Sequence, residues 1–97
     1  GEEGQGFRVA MQVLDRGRLH IASVCVGVAE RLIEESVRYA AERKQFGQAI
    51  ANFQMIQAML ADCRAEASAA RAMVLEAARK RDRGEDVVMD AAACKLF

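Results

Sequence analysis

The sequence of 97 residues contains no proline, and this absence constrains the fold more than any other single feature. Proline interrupts helices more strongly than any other residue, because it lacks the backbone N–H and its ring clashes with the preceding turn. Alanine is abundant, and β-branched residues occur singly rather than in alternating runs. The sequence therefore predicts an all-α chain that forms one small domain at most.

The spacing of apolar residues divides the chain into three helices. A repeat at i, i+3, i+4 and i+7 marks one helical face near the start, with Phe7, Ala10, Met11 and Leu14. Glycines at positions 47 and 84 end the first two helices. We predict helices over about residues 6–44, 51–83 and 86–97, with Asn52 and Asp86 as N-caps.

We expect the two long helices to pack antiparallel as a hairpin. The third helix ends at Phe97 without a stop signal, so only its start is present. The stretch from Ile21 to Ala29 is apolar or small on nearly every side, so we expect neighbours on several of its faces. Two helices cannot hide this apolar surface from each other. The unit therefore needs a fourth helix, another domain or further copies of itself. The absence of an initiator methionine is in keeping with a piece of a longer protein.

Charge and cysteine content exclude several classes of function. Fourteen Lys and Arg balance fourteen Asp and Glu, which argues against a nucleic acid or an anionic membrane surface as partner. Cys25, Cys63 and Cys94 form no CxxC pair, so neither a disulfide framework nor a metal site is expected. We expect each to be a small buried hydrophobe in a reducing compartment. The glycine-rich acidic N-terminus is unlike a signal or transit peptide, so we do not expect a secreted protein. The expected compartment is the bacterial-type cytoplasm or the mitochondrial matrix.

The segment Asp15-Arg16-Gly17-Arg18 places charges and a glycine in the middle of the first apolar helix. One interpretation is a polar patch on the exposed side of the helix, with Asp15 neutralising the arginines. The other is a hinge or a ligand site, because charges and a glycine cost helix stability at such a position. The spacing leaves both open.

The segment Arg43-Lys44-Gln45-Phe46-Gly47 combines two cations, an aromatic ring and a flexible glycine. It reads as an ordinary helix C-terminus with favourable cations. It also reads as a phosphate site, because arginine offers a forked set of donors and a phenyl ring packs on a flat heterocycle. Gln54 alone would be a solvent-facing residue at the start of the next helix.

Together, the two segments resemble the acyl-CoA dehydrogenase family. The resemblance covers essentially the whole chain, and any one piece of it is weak while the ordered set is specific. The matching stretches are Gly4-Gln5-Gly6-Phe7, Ala10-Met11, Leu14-Asp15-Arg16-Gly17-Arg18, Tyr39-Ala40, Arg43-Lys44-Gln45-Phe46-Gly47, Phe53-Gln54, Leu60-Ala61-Asp62 and Ala93-Cys94-Lys95-Leu96-Phe97. The chain looks like the first part of the C-terminal helical domain, which in that family is an up-down four-helix bundle.

The resemblance implies an enzyme that oxidises an acyl-CoA to a trans-2-enoyl-CoA with FAD and passes electrons to an electron-transfer flavoprotein. Arg43 matches an arginine that contacts the FAD diphosphate of the neighbouring subunit. Gln45, Phe46 and Gln54 match positions that line the same FAD, with Phe46 near the adenine. Because the flavin is shared between subunits, the resemblance also implies a homodimer or homotetramer.

The stretch from Asp15 through Arg16 and Gly17 to Arg18 matches the lining of the acyl-CoA pocket, where Asp15 orients Arg18. A minority of the family carries its catalytic carboxylate directly before this arginine, and here that position is Gly17. In most members the carboxylate lies well beyond the stretch that this chain matches. The resemblance therefore implies no catalytic residue in this chain, and we expect the isolated 97 residues to be inactive and to lose FAD. The alternative is a stand-alone helical module that self-associates without a flavin. A parent that acts on other thioesters or on nitro compounds also stays open.

Overall fold

The computed structural model describes all 97 residues as an elongated molecule of 70 × 20 × 18 Å. Helix α1 runs over Gly6–Glu42, and two short strands follow, β1 at Lys44–Gln45 and β2 at Gln48–Ala49. A 3-10 turn at Ile50–Asn52 leads into α2, Gln54–Asp82, and α3 covers Val88–Leu96. None of these helices is long and apolar enough to cross a membrane.

The predicted all-α class and the antiparallel arrangement of the two long helices are confirmed. Leu19 and Ala22 of α1 pack against Val74 and Ala77 of α2. Further along α1, Glu30 pairs with Arg71 of α2 at 3.1 Å. Residue numbers rise along α1 while those of its partners fall along α2, so the two helices run in opposite directions. Lys80 of α2 then binds Asp90 of α3 at 2.8 Å and ties the third helix to the second.

Small side chains form the core between the helices. The buried residues are Leu19, Ala22, Ala40, Ala67, Val74, Ala77 and Ala91. Alanine presents little bulk, which allows close approach of the helix backbones but buries little apolar area per residue. The three helices therefore bury a thin seam and leave most of their large apolar side chains exposed.

The connection between α1 and α2 differs from the sequence prediction. Helix α1 ends at Glu42, and Arg43 is extended, with its backbone N–H on the Tyr39 carbonyl at 2.8 Å. The chain then turns back as a hairpin in which Lys44 pairs with Ala49 and Gln45 with Gln48. Gly47 has the expected positive φ, +83°, but it sits in the hairpin turn rather than at the helix end.

Helix α1 begins at Gly6 as predicted, but α2 begins at Gln54 rather than near residue 51 and α3 at Val88 rather than near residue 86. Asn52 lies in the 3-10 turn and does not cap α2, which begins after Phe53 without a side-chain cap. The 3-10 turn already fixes Phe53, whose N–H donates to the Ile50 carbonyl at 3.1 Å. Asp86 does accept a hydrogen bond from the Val88 N–H at 3.1 Å, although α3 begins only at Val88.

An open apolar groove of about 630 Å³ runs between the three helices. Most of its lining is hydrophobic, and all three cysteines contribute to it. Cys25 and Cys63 are exposed and Cys94 is half-buried, so the expectation of three buried thiols was wrong. Within this chain only Ala22 of the stretch from Ile21 to Ala29 is buried, because the stretch borders the open groove. Its enclosure by a fourth helix, another domain or further copies stays a prediction.

Candidate functional site

Two groups of polar residues stand out, one at the connection between α1 and α2 and one near the start of α1. We call residues 43–54 the corner. Hydrogen bonds fix its backbone at both ends, because Arg43 donates its N–H to Tyr39 and accepts the Ile50 N–H on its carbonyl at 2.8 Å. Gln57 of α2 adds a third tie by donating its side-chain amide to the Ala51 carbonyl at 2.8 Å. The corner is therefore a fixed platform for its side chains.

The Arg43 guanidinium is exposed and makes no ion pair within the chain. No Asp or Glu occurs between Glu42 and Asp62, so the corner carries the charges of Arg43 and Lys44 without a neutralising acid of its own. Three arginines of α1 differ from it: Arg31 and Arg38 both pair with Glu35, and Arg18 pairs with Asp15. A guanidinium with free donors suits a diphosphate, which accepts two parallel hydrogen bonds.

Phe46 projects from the corner as an aromatic ring that is 91% exposed. Its backbone has φ +52°, which makes it the one residue besides glycine with positive φ. The ring touches Phe53 edge to face, with centroids 6.3 Å apart and planes at 83°. Such a ring offers a flat apolar surface to a heterocycle.

The four residues expected to bind the cofactor lie within the corner. Arg43, Gln45, Phe46 and Gln54 are all exposed, and the hairpin places the first three within one tight turn of chain. Gln54 is the first residue of α2. Phe53 was not among the residues predicted to bind the cofactor. Only the hairpin, which the sequence did not signal, brings it against Phe46.

The second group lies on α1. Arg18 donates a 2.8 Å hydrogen bond to the Asp15 carboxylate, with 36% and 21% of the two side chains exposed. Arg16 and Gly17 are exposed to solvent. The helix continues through Gly17 without interruption, so the structure has no hinge there. Asp15 and Arg18 thus form a fixed pair, and the two residues between them carry no partner.

The two groups are far apart in one chain. Arg18 and Arg43 are separated by 25 residues of continuous helix, which at 1.5 Å per residue places them about 37 Å apart along the axis. The structure therefore keeps the expected substrate residues and the expected cofactor residues as separate sites on one rod.

The groove holds the thiols in unequal surroundings. Burial raises the pKa of the Cys94 thiol, and the nearby Asp90 carboxylate raises it further. No group of three His, Cys, Asp or Glu side chains is arranged to hold a metal ion. The groove thus offers apolar surface and no set of side chains that could coordinate a metal ion.

Comparison with known proteins identifies the family. The family model "Acyl-CoA dehydrogenase, C-terminal domain" matches residues 4–97. The chain therefore belongs to the acyl-CoA dehydrogenase family and corresponds to part of its C-terminal domain, which confirms the resemblance seen in the sequence.

Individual relatives agree with this assignment. The solved structure of butyryl-CoA dehydrogenase from Megasphaera elsdenii superposes with a TM-score of 0.94 at 41% identity, over 97% of this chain and 24% of that one. A structure described as PigA with FAD and proline gives a TM-score of 0.94 at 32% identity, over 99% of this chain and 25% of that one. The caffeyl-CoA reductase-Etf complex subunit CarC of Acetobacterium woodii is 42% identical over all of this chain and 26% of its own length. The chain spans about a quarter of the curated relatives that it matches.

Proposed function

We propose that this chain is the first part of the C-terminal helical domain of an FAD-dependent acyl-CoA dehydrogenase. The parent enzyme oxidises an acyl-CoA to a trans-2-enoyl-CoA. The observation that carries the proposal is the unpaired guanidinium of Arg43 on a corner whose backbone is fixed at both ends. The family membership supplies the reaction class.

The corner fits one end of the cofactor. Arg43 would hold the FAD diphosphate of the neighbouring subunit, and Gln45, Phe46 and Gln54 would line the rest of the nucleotide. When bound, FAD accepts the hydrogen of the substrate β carbon as hydride. This chain contributes fixed positive charge, an aromatic surface and amide groups, which bind and orient the nucleotide rather than react with the substrate.

The pair of Asp15 and Arg18 would line the acyl-CoA pocket together with Arg16 and Gly17. The carboxylate of Asp15 is engaged by Arg18, and Gly17 has no side chain with which to take a proton. The base that removes the α proton would therefore come from outside these 97 residues. In this proposal the isolated chain does not turn over acyl-CoA and does not retain FAD. Measurable turnover of an acyl-CoA by the 97 residues alone would contradict it.

The parent would act as a homodimer or homotetramer, since a site for a neighbour's nucleotide needs that neighbour. Its electron acceptor would be an electron-transfer flavoprotein, which the name of the Acetobacterium relative supports. That relative is named as a subunit of a caffeyl-CoA reductase complex. The compartment proposed is the bacterial cytoplasm or the mitochondrial matrix.

The decisive experiment compares two adjacent cations in the full-length enzyme that contains this domain. Arg43→Ala removes the proposed diphosphate ligand, and Lys44→Ala removes an equal charge next to it. Because a charge-assisted hydrogen bond contributes about 1.5–3 kcal/mol, we expect Arg43→Ala to bind FAD about ten- to a hundredfold more weakly. Lys44→Ala should retain FAD nearly as the unchanged enzyme does. Equal flavin retention by both variants would remove the main site assignment.

A second function has support from the open groove. A stand-alone module that self-associates would cover this groove with a second copy, and no flavin would be involved. Sedimentation of the isolated chain at micromolar concentration tests the association: the exposed apolar surface predicts a dimer or larger species, and a compact monomer would contradict it. An open reading frame that extends on both sides favours the enzyme, whereas one that ends at Phe97 favours the module.

A further inference from the structure

Phe46 adopts a backbone conformation with positive φ, which residues other than glycine rarely adopt. Phe46 and Gly47 are the two central residues of the hairpin, with φ +52° and +83°. Positive φ at both positions is the mark of a type I′ turn, in which Asn or Asp usually precedes the glycine. A Cβ in the left-handed region crowds the backbone, so phenylalanine here is unfavourable for the turn itself.

Burial does not compensate for this conformation. The Phe46 ring is 91% exposed, and its one aromatic contact within the chain is the edge-to-face approach of Phe53. Strained residues of this kind are concentrated at ligand sites, where the strain aims a side chain at its target. The perpendicular arrangement leaves at least one face of the Phe46 ring free for a flat ligand.

Phe53 is the fixed member of the pair. Its N–H donates to Ile50 at 3.1 Å, and its carbonyl accepts the N–H groups of Ile56 and Gln57 at 3.0 and 3.1 Å. Its ring is half-buried at the junction of the 3-10 turn and α2. Because the Phe53 ring is held in place, its contact with the exposed Phe46 ring limits the orientations that the Phe46 ring can take.

We propose that Phe53 is a positioning residue, which fixes the angle at which Phe46 presents its free face to the base of a nucleotide whose diphosphate lies on Arg43. The inference rests on the proposed function and adds Phe53 to it, a residue that affects the nucleotide only through Phe46. The ligand class is a nucleotide or dinucleotide, because the corner combines a forked cation with a stacking surface.

The test uses the full-length enzyme and two substitutions of Phe53. Phe53→Leu keeps an apolar side chain but removes the aromatic edge, whereas Phe53→Tyr keeps the ring. Apoenzyme is titrated with FAD, and thermal unfolding is followed in parallel. Since aromatic pairs contribute modestly beyond their buried area, we expect Phe53→Leu to weaken FAD binding about three- to tenfold. Phe53→Tyr should stay within about twofold of the unchanged enzyme.

A second pair of variants separates positioning from folding. In a Phe46→Leu background, the change Phe53→Leu should weaken FAD binding no further, because the ring that Phe53 positions is already gone. A full additional loss in that background, equal losses in the Leu and Tyr variants, or unchanged binding by Phe53→Leu would each overturn the inference. If Phe53→Leu binds normally while Arg43→Ala loses FAD, the positioning role alone fails. If Arg43→Ala also binds normally, the proposed function fails with it.

Discussion

The guanidinium of Arg18 and the carboxylate of Asp15 form a 2.8 Å hydrogen bond across one turn of α1. The pair is half-buried rather than fully exposed, and it lies about 37 Å along the same helix from Arg43. In the proposed parent enzyme the pair lines the substrate pocket, so Asp15 should affect catalysis more than it affects folding.

We expect Asp15→Asn in the full-length enzyme to reduce kcat/KM about tenfold or more, since small displacements of a positioned group are costly for catalysis. Its effect on the free energy of unfolding should stay below about 1 kcal/mol, because pairs of this spacing on a helix contribute little to stability. The measurements are steady-state kinetics and thermal unfolding. Glu34→Gln is the matched control, because Glu34 also faces an arginine of α1, Arg31 at 3.8 Å, but lies outside the site. Equal kcat/KM values for Asp15→Asn and Glu34→Gln would show that Asp15 does not line the substrate pocket.

The positive φ of Phe46 gives a prediction about stability alone. Phe46→Asn and Phe46→Leu both remove the ring, but asparagine tolerates the left-handed region and leucine does not. We expect the Asn variant of the isolated chain to be more stable than the Leu variant by about 1 kcal/mol. Denaturant unfolding measures the difference. Equal stabilities would show that the turn carries no such strain.

The salt bridge between Lys80 and Asp90 predicts an alkaline limit to stability. Hydrogen bonding to Asp90, with the attraction of its charge, raises the pKa of Lys80 above the ordinary 10.5. Because the folded pKa exceeds the unfolded one, the contribution of Lys80 is fully present below pH 10.5 and is lost as the pH rises through the raised pKa. Denaturant unfolding of the chain between about pH 8 and about pH 11.5 tests this dependence.

Lys80→Gln should flatten that alkaline decline, while Lys44→Gln, which removes an exposed lysine without an ion pair, should leave it intact. A decline of the same size in all three proteins would mean that Lys80 is not its source.

The unequal environments of the three thiols predict an order of alkylation. Cys25 and Cys63 are exposed, whereas burial raises the pKa of Cys94 and lowers its thiolate fraction at neutral pH. We expect Cys94 of the isolated chain to react with iodoacetamide last, about tenfold more slowly than the other two. Mass spectrometry of the digested protein gives the three rates. In urea the rates should converge, and a Cys94 that reacts first when folded would contradict the assignment.

Helix type and pairing were predictable from the sequence because they depend on local spacing. Ala67, Val74 and Ala77 recur at helical spacing on one face of α2, and all three are buried in the structure. Positions such as Cys25 and Cys63 follow the same spacing but are exposed. Periodicity marks a face as apolar, and it does not say whether anything covers that face.

The corner was harder to predict because its geometry depends on pairing between residues that are not helical. Two-residue strands have no alternation to detect, and Phe-Gly is an uncommon pair for a type I′ turn. The exposed, unpaired state of Arg43 agrees with a binding role. The sequence could not distinguish that role from a helix C-terminus, and only the resemblance to a family favoured it.

The central claim is that Arg43 binds a nucleotide held mostly by another subunit. A crystal structure of the full-length holoenzyme tests it most directly, through the distance from the Arg43 guanidinium to the nearest FAD diphosphate oxygen. We predict a hydrogen bond of about 2.7–2.9 Å to the FAD of the neighbouring subunit. An Arg43 that faces solvent, or that is paired with a carboxylate of its own subunit while FAD is bound, would contradict the account.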